Sequence, residues 1–485
     1  MRLVPVILSL SIPFVFAFGK SEQPNVLFIV CDDLNTHVST SGYEHIKTPA
    51  FDKLAETGMT FNRAYCQYPV CNSSRTSFLH SLYPQSSGVV SNKVDIRETR
   101  PGTVSMPQLF KENGYWTAAT GKVYHNLKST PGKDTWDESH WFDNDEMPMV
   151  IPVREAFEKK HGPVTDRKNV KKWKEIYYDI ATQTKNQKPG YGPSGLRDDQ
   201  HKDGKNALKV IEWLEKESFG DKPFFISLGI HKPHGPFLAP DKYFDLYPKD
   251  ELQFSLASKD FWKQAPREAG TKRYEGFDFE FGVENDALRR ANMQAYHACI
   301  SFIDAQIGLV LDALEETGKA DNTIVVLISD HGYHLGDHFM WGKVTLFEIC
   351  ARVPMLVRAP GITRPGSKSE GLVELLDIFP TLTEICGLED PEHVQGQSFL
   401  RNMKNSEADG KEVVYTVVTR GKNLGQAVRT ERWRYAKWSS GEELYDLKKD
   451  PGELKNLAGS PEHAGILQKM RNHLEEIDAR AGEKR

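Results

Sequence analysis

Four short runs of consecutive apolar residues frame the chain: Asn25–Cys31, Pro223–Ile230, Thr323–Ile328 and Val353–Val357. Unbroken apolarity over so few positions predicts strands buried on both faces, as in the interior of a parallel sheet, because a half-exposed strand would alternate. Between the runs, apolar positions recur at helical spacing. Ala207, Leu208, Ile211 and Leu214 predict one helix, and Ile300, Ile303, Ile307, Val310, Leu311 and Leu314 predict another, closed by Gly318 as its C-cap. Strands alternating with helices predict an α/β fold with a large, mostly parallel central sheet flanked by helices.

The pattern breaks in three places. From Lys128 to Lys205 and from Pro248 to Asp286, Lys, Asp, Gly and Trp replace periodicity, which predicts long surface excursions near the functional site. After residue 400 the strand signal returns as Val413–Val418, Gln426–Arg429 and Trp433–Trp438, followed by Ile466, Leu467, Met470, Leu474 and Ile477 at helical spacing. This predicts a small C-terminal antiparallel sheet with a packed helix, and a division into residues 24–400 and 401–485.

At the N-terminus, Arg2, the apolar stretch Leu3–Phe18 and the small-residue pattern Ala17-Phe18-Gly19 predict a cleavable secretory signal over residues 1–19. The stretch is shorter than the roughly 20 apolar residues that span a bilayer, and no later segment reads as a span. The mature protein is therefore expected in the periplasm, outside the cell or in a lysosome-type lumen. Export changes the reading of the six cysteines. Cys66 and Cys71 are close enough in sequence to pair, whereas Cys31, inside an apolar run, is expected to be a buried thiol. A formal charge of −5 with no basic stripe excludes nucleic acid as the expected partner. An anionic substrate must then be drawn by local cations.

Chemistry-bearing residues gather at the ends of the apolar runs. Asp32 and Asp33 follow the first, and Asp330 and His331 follow the third. In open α/β sheets the carboxyl ends of strands border the ligand site, so adjacency would bring three carboxylates and an imidazole together. Like charges at such range need a cation among them, and Ca²⁺, or with less weight Mg²⁺, suits oxygen ligands. His231 and His234 follow the second run in a loop stiffened by Pro233 and Pro236, placed to exchange protons. Gly121-Lys122-Val123-Tyr124-His125, and His334, His338 and Trp341-Gly342-Lys343, add further cations and imidazoles.

Cys71-Asn72-Ser73-Ser74-Arg75-Thr76-Ser77-Phe78-Leu79 resembles the maturation motif of the formylglycine-dependent sulfatases of the alkaline phosphatase superfamily. The stretches at Asp32–Asn35, Gly121–His125, His231–Phe237, Ser329–His338, Trp341–Lys343 and Glu374–Leu382 are similar to that family's in the same order. So is the tail Leu444-Tyr445-Asp446-Leu447 with Asp450, Pro451 and Glu453. Ser73 stands where the commonest motif has Pro, and His80-Ser81 where it has a pair such as Thr-Gly. The resemblance implies an alkaline-phosphatase-like fold and a sulfuric ester hydrolase acting on a sulfated oligo- or polysaccharide, above all a uronic acid 2-sulfate. It implies that Asp32, Asp33, Asp330 and His331 bind or border Ca²⁺. Cys71 would be the formylglycine precursor, converted by a formylglycine-generating enzyme, with Arg75 holding its surroundings. Lys122 and Lys343 would contact sulfate, His125 would assist the hydrated aldehyde, and His234 would protonate the leaving alcohol. Two rivals remain: a phosphatase or phosphonate hydrolase on the same scaffold, and a glycan-binding protein in which Cys71 stays a thiol.

Overall fold

The first apolar run lies at the centre of an eight-stranded sheet because its side chains are apolar on both faces. The computed structural model describes residues 23–142, 151–164, 166–169, 171–173, 175–176, 191–253, 259–271 and 286–483, and the leader expected at 1–19 lies outside them. In chain order the strands are β1 (Asn25–Asp32), β2 (Met59–Phe61), β3 (Trp116–Gly121), β4 (Glu138–His140), β5 (Phe224–Pro233), β6 (Thr323–Ser329), β7 (Met355–Arg358) and β8 (Ser367–Ser369). Across the sheet the order is β8-β2-β7-β6-β1-β5-β3-β4. β1 pairs in parallel with β5 and β6, and only β7 runs against its neighbours β6 and β2. The fourth apolar run is thus antiparallel. The chain leaves β6 at its carboxyl end, stays there through the loops around residue 343, and re-enters the sheet from that same edge.

Two apolar layers sandwich the sheet. Leu27, Ile29 and Cys31 face a layer that includes α2 (Lys202–Glu215) and α3 (Asp286–Glu316). Val26, Phe28 and Val30 face the other, where α1 (Cys71–His80) and α4 (Ile378–Cys386) contribute Phe78, Leu79, Ile378, Phe379 and Leu382. On α2 the buried apolar side chains are Ala207, Val210, Trp213 and Leu214, while Leu208 is 47% exposed. The predicted helix is therefore present with its inward face rotated, since bulky Trp213 fills the space against Trp116 that a Leu208 face would have left. Arg289–Glu316 of α3 is long and apolar enough to cross a membrane, contrary to the expectation that no later segment is. However, 78% of its most apolar window is buried in this fold, so the apolar surface is spent on the core.

The excursions also do structural work. Glu138–His140 from the first adds the edge strand β4 beside β3, and Tyr191–Pro193 pairs with Phe237–Ala239. All six cysteines are buried and none is in a disulfide. Cys66 and Cys71 are therefore unpaired, because Cys66 turns to the carbonyl of Cys350 while Cys71 opens α1 and faces Lys343.

A second sheet, β9 (Val414–Arg420), β10 (Asn423–Arg429), β11 (Trp433–Trp438) and β12 (Gly441–Asp446), is antiparallel in chain order. Helix α5 (Ala464–Ala481) packs on it through Leu467, Met470, Leu474 and Ile477. The first three strands are the predicted ones, and the fourth carries the tail motif. Arg434 of β11 is buried with its guanidinium 4.9 Å from the Phe347 ring and 4.7 Å from the Tyr445 ring. It donates to Glu453, whose other carboxylate oxygen accepts the Glu348 N–H at 2.8 Å. This ties the second sheet to the segment that follows Lys343.

Removing one partner of such a buried pair strands a charge. Glu453→Ala is expected to lower the unfolding free energy by about 3–5 kcal/mol, read as a fall in the urea midpoint.

Candidate active site

Parallel register brings the acids together. Cys31 lies beside Ser329, and the Asp330 N–H donates to the Cys31 carbonyl at 3.0 Å, so Asp32 and Asp330 emerge at one level of the carboxyl edge. Asp33 then turns in the left-handed region (φ 65°), which Asp tolerates better than most residues. Its N–H donates to Asp330 Oδ1 at 3.1 Å. Tyr296 of α3 donates its hydroxyl to the Asp33 carbonyl at 2.6 Å and accepts the Asn35 N–H at 2.9 Å, and Ser329 Oγ accepts the Leu34 N–H at 2.9 Å.

Around these acids stand three cations. Arg75, one turn into α1, donates through Nε to Asp330 Oδ2 at 2.9 Å, places Nη2 3.4 Å from Asp32 Oδ1, and donates through Nη1 to the carbonyls of Lys122 and Val123. Lys122, just past β3, is paired with Asp32. Lys343 places Nζ 2.6 Å from Asp33 Oδ1 and 3.2 Å from Cys71 Sγ. Each of these side chains is almost wholly buried. Three carboxylates against three cations is the balance that makes the burial tolerable. Burial pushes the Asp32 carboxyl upward, but Lys122, His234, Arg75 and Lys343 outweigh it and hold the group well below the usual range. At Asp33 burial wins and the carboxyl is pushed well above its usual range.

Asp32, Asp33, Cys71 and His331 present donor atoms that all lie within 4.8 Å of one another. Asp32 Oδ1, Asp33 Oδ2 and His331 Nε2 are buried without a hydrogen-bond partner. His331 Nδ1 donates to the Gly332 carbonyl at 3.0 Å and Nε2 faces Asp33. Burial lowers the imidazole, but Asp330 and Asp33 outweigh it and raise the group to about 9 in the bare site, so Nε2 carries a proton that a bound cation would displace. Buried carboxylate oxygens and an imidazole nitrogen that converge without hydrogen-bond partners, and that can give up a proton on binding, fit a divalent cation. Asp330 borders this group, its oxygens engaged by Arg75 and by the N–H groups of Asp33 and His331.

On the other side, Asp32 shares a second cluster of donor atoms with His231 and His234, again within 4.8 Å. The His234 ring is oriented by Nδ1, 2.7 Å from the Gly235 carbonyl. His125 is lowered to about 4 by burial and then by Lys122, so its imidazole is neutral at pH 7. The structure thus gathers Asp32, Asp33, Cys71, Arg75, Lys122, His125, His234, Asp330, His331 and Lys343 around one cradle.

The sulfatase family model matches residues 24–388, and the model for the C-terminal region of N-sulphoglucosamine sulphohydrolase matches residues 336–480. The chain belongs to the sulfatase family. It is 32% identical over 474 residues to a sulfatase of Formosa agariphila, covering 94% of this chain and 87% of that one. To the iduronate 2-sulfatase of Mus musculus it is 27% identical over 537 residues, covering 93% of this chain and 94% of that one. The phosphonate monoester hydrolase of Agrobacterium radiobacter shares the fold with a TM-score of 0.76 at 21% identity, over 94% of this chain and 96% of that one. The alkaline-phosphatase-like architecture expected from the motifs is the one observed, and this sulfatase is a sulfuric ester hydrolase.

Two histidines of the sulfatase motif region are structural. His334 Nε2 lies 2.8 Å from Thr345 Oγ1, and His338 stacks on Phe347 with Nε2 3.2 Å from the Glu453 carbonyl. Tyr296 and Asp203 carry no signal in the sequence, and Ser329 carries one only as part of the stretch Ser329–His338. Ser329 was the nearest to detection, because it precedes the acidic pair at a strand end. A cavity of about 1240 Å³ opens beside Lys343, lined among others by Tyr68, Lys93, Trp262, Arg267 and Arg420.

Since three buried polar atoms converge without hydrogen-bond partners, a divalent cation at 100 times its Kd should stabilise this sulfatase by about 2.7 kcal/mol. Thermal melts should show a higher Tm that a chelator reverses, and Asp33→Asn should lose most of the gain.

Proposed function

We propose that this sulfatase removes an O-sulfate from a sulfated sugar of a polysaccharide, a uronate 2-sulfate or a related residue, with a formylglycine at position 71 as nucleophile. The observation that carries the proposal is the Cys71 side chain at the start of a buried helix, 3.2 Å from Lys343 Nζ and among the donor atoms of the acidic cradle. A thiol has no second hydroxyl with which to release a sulfate it has accepted. A hydrated aldehyde has one. Maturation is a two-electron oxidation by a separate formylglycine-generating enzyme, which supplies the oxidant, removes the sulfur and leaves an aldehyde oxygen in its place.

Asp32, Asp33 and His331, bordered by Asp330, would hold the ion, which we assign as Ca²⁺ for its preference for carboxylate oxygens. Bound there, it would make a neighbouring hydroxyl more acidic and offset negative charge. Lys122 and Lys343 hold the sulfate oxygens, and Arg75 fixes the carboxylates behind them. One hydroxyl of residue 71, having given its proton to solvent, attacks sulfur as the bond to the sugar oxygen breaks, and His234, protonated from solvent once sulfate is bound, passes its proton to that oxygen. In the bare site burial and the charges of Lys122 and Lys343 keep the His234 pKa well below its usual value, and a sulfate anion held by the same lysines opposes that effect. His125, a neutral imidazole, takes the proton of the second hydroxyl as sulfate leaves and the aldehyde returns.

The substrate class is supported by the likeness to the mouse iduronate 2-sulfatase along nearly the whole of both chains. It is supported too by the cavity beside Lys343, where Lys93, Arg267 and Arg420 suit an acidic sugar and Trp262 offers an aromatic wall. We place the protein outside the cytoplasm on the strength of the leader-like residues 1–19.

Co-expression with a formylglycine-generating enzyme should shift the peptide carrying Cys71 down by about 18 Da, and the matured protein should release sulfate from a 2-sulfated uronide. Cys71→Ala should lower that rate at least about 10³-fold without weakening the fold. An unshifted peptide with no sulfate release, alongside turnover of a phosphonate ester, would transfer the site to the phosphonate-hydrolase reading.

A further inference from the structure

The parallel pairing of β1 with β5 is interrupted next to the site. Val30 lies beside Gly229, but Asp32 lies beside Pro233, so β5 uses more residues than β1 to reach the same level. A bulge of this kind takes backbone N–H groups out of the ladder, and in a buried place they need another acceptor. Asp203, fully buried in the first turn of α2, supplies it: Oδ1 accepts the His231 N–H at 2.8 Å and Oδ2 the Lys232 N–H at 2.9 Å. The bulge leads straight to His234, whose N–H donates to the His231 carbonyl at 3.1 Å.

One turn further along α2, Asn206 Oδ1 accepts the hydroxyl of Thr120 at 2.8 Å, while its Nδ2 lies 3.4 Å from the Gly229 carbonyl. A Cβ built on Gly121 would stand 2.1 Å from that carbonyl and 2.4 Å from Asn206 Nδ2, so β3, β5 and the start of α2 meet here without room to slide. The strand that delivers Lys122 and the loop that delivers His234 are thus held by one helical turn.

We propose that Asp203 is a positioning residue for sulfate ester hydrolysis, setting the place of His234 relative to residue 71 by holding the β5 bulge. The inference rests on the chemistry proposed above, in which His234 protonates the leaving oxygen. Its consequence depends on the leaving group. A sugar alkoxide needs that proton, whereas 4-nitrophenolate leaves without it.

The test is kcat of matured wild type and Asp203→Asn on two esters, 4-nitrophenyl sulfate and a 2-sulfated uronide. Asparagine keeps the shape but turns an NH₂ group toward one of the two N–H groups. The expected result is a loss of about 10–100-fold on the sugar sulfate and less than about threefold on the aryl sulfate. His234→Ala added to Asp203→Asn should then cost the sugar substrate much less than it costs wild type, because both act on one proton transfer. If Asp203→Asn does not fold, Asp203→Glu, which keeps the charge and displaces both acceptors, should give the same selective loss. Equal losses on the two esters, or no loss on either, would overturn the assignment. Wild type that turns over neither ester would instead bring down the proposed function, and the inference with it, before any substitution at 203 is compared.

Discussion

Three carboxylates buried at the carboxyl ends of adjacent parallel strands are the constraint on which the rest of this structure depends. Asp32, Asp33 and Asp330 have no access to bulk water, and mutual repulsion in such surroundings would expel or protonate them. The fold answers with cations from three separate parts of the chain: Arg75 from the second turn of α1, Lys122 from just past β3, and Lys343 from the loop between β6 and β7. Each cation is already fixed by a carboxylate, so their charges are held in place around the thiol of Cys71. The same arrangement leaves two carboxylate oxygens and one imidazole nitrogen unpartnered at its centre, which is how a protein can be stable enough to fold and still keep affinity for a cation.

Holding those groups requires unusual backbone. Asp33 adopts a left-handed conformation secured by Tyr296, and so does Val344 (φ 70°), where a β-branched side chain makes it costly. The Val344 carbonyl accepts Arg420 Nη2 at 2.6 Å, and Arg420 Nε donates to the Glu268 carbonyl at 2.9 Å. One guanidinium from the second sheet therefore restrains the residue next to Lys343 and the excursion around Trp262 together. Ser81 is a third case. It caps α1 at φ 52°, where the commonest family motif has a pair such as Thr-Gly, and its hydroxyl donates to the Leu376 carbonyl at 2.7 Å and accepts the Gly396 N–H at 3.0 Å. Those bonds offset a strain that glycine would not have.

The second sheet acts on the site through what it touches. Its apolar layer includes Tyr68, Phe261, Met340, Leu346 and Phe347 from the larger part of the chain, and Arg434 with Glu453 fixes the segment after Lys343. The cavity beside Lys343 lies between these parts, with walls drawn from segments near residues 70, 90, 262 and 420. The acidic cradle and most of the cavity wall are thereby built from different regions, so the surroundings can vary while the cradle stays the same.

By itself the sequence determined the buried strands, the acids at their ends and the sulfatase-like stretch Cys71–Leu79. Unbroken apolar runs and a short local pattern such as Cys71–Leu79 report on the chain within a few residues, and burial of such runs leaves few alternatives. Tertiary structure alone decided which face of α2 turns inward, that β7 runs antiparallel, that the long apolar helix α3 lies in a core, and that Cys66 and Cys71 do not meet. It also decided the roles of Asp203, Tyr296 and Arg420, each polar residue carrying no local signal because its partners are backbone groups brought near by the fold. Periodicity records how a residue relates to its own element. Which N–H or carbonyl is left needing a partner is settled only when strands take their register, and that is a property of the assembled sheet.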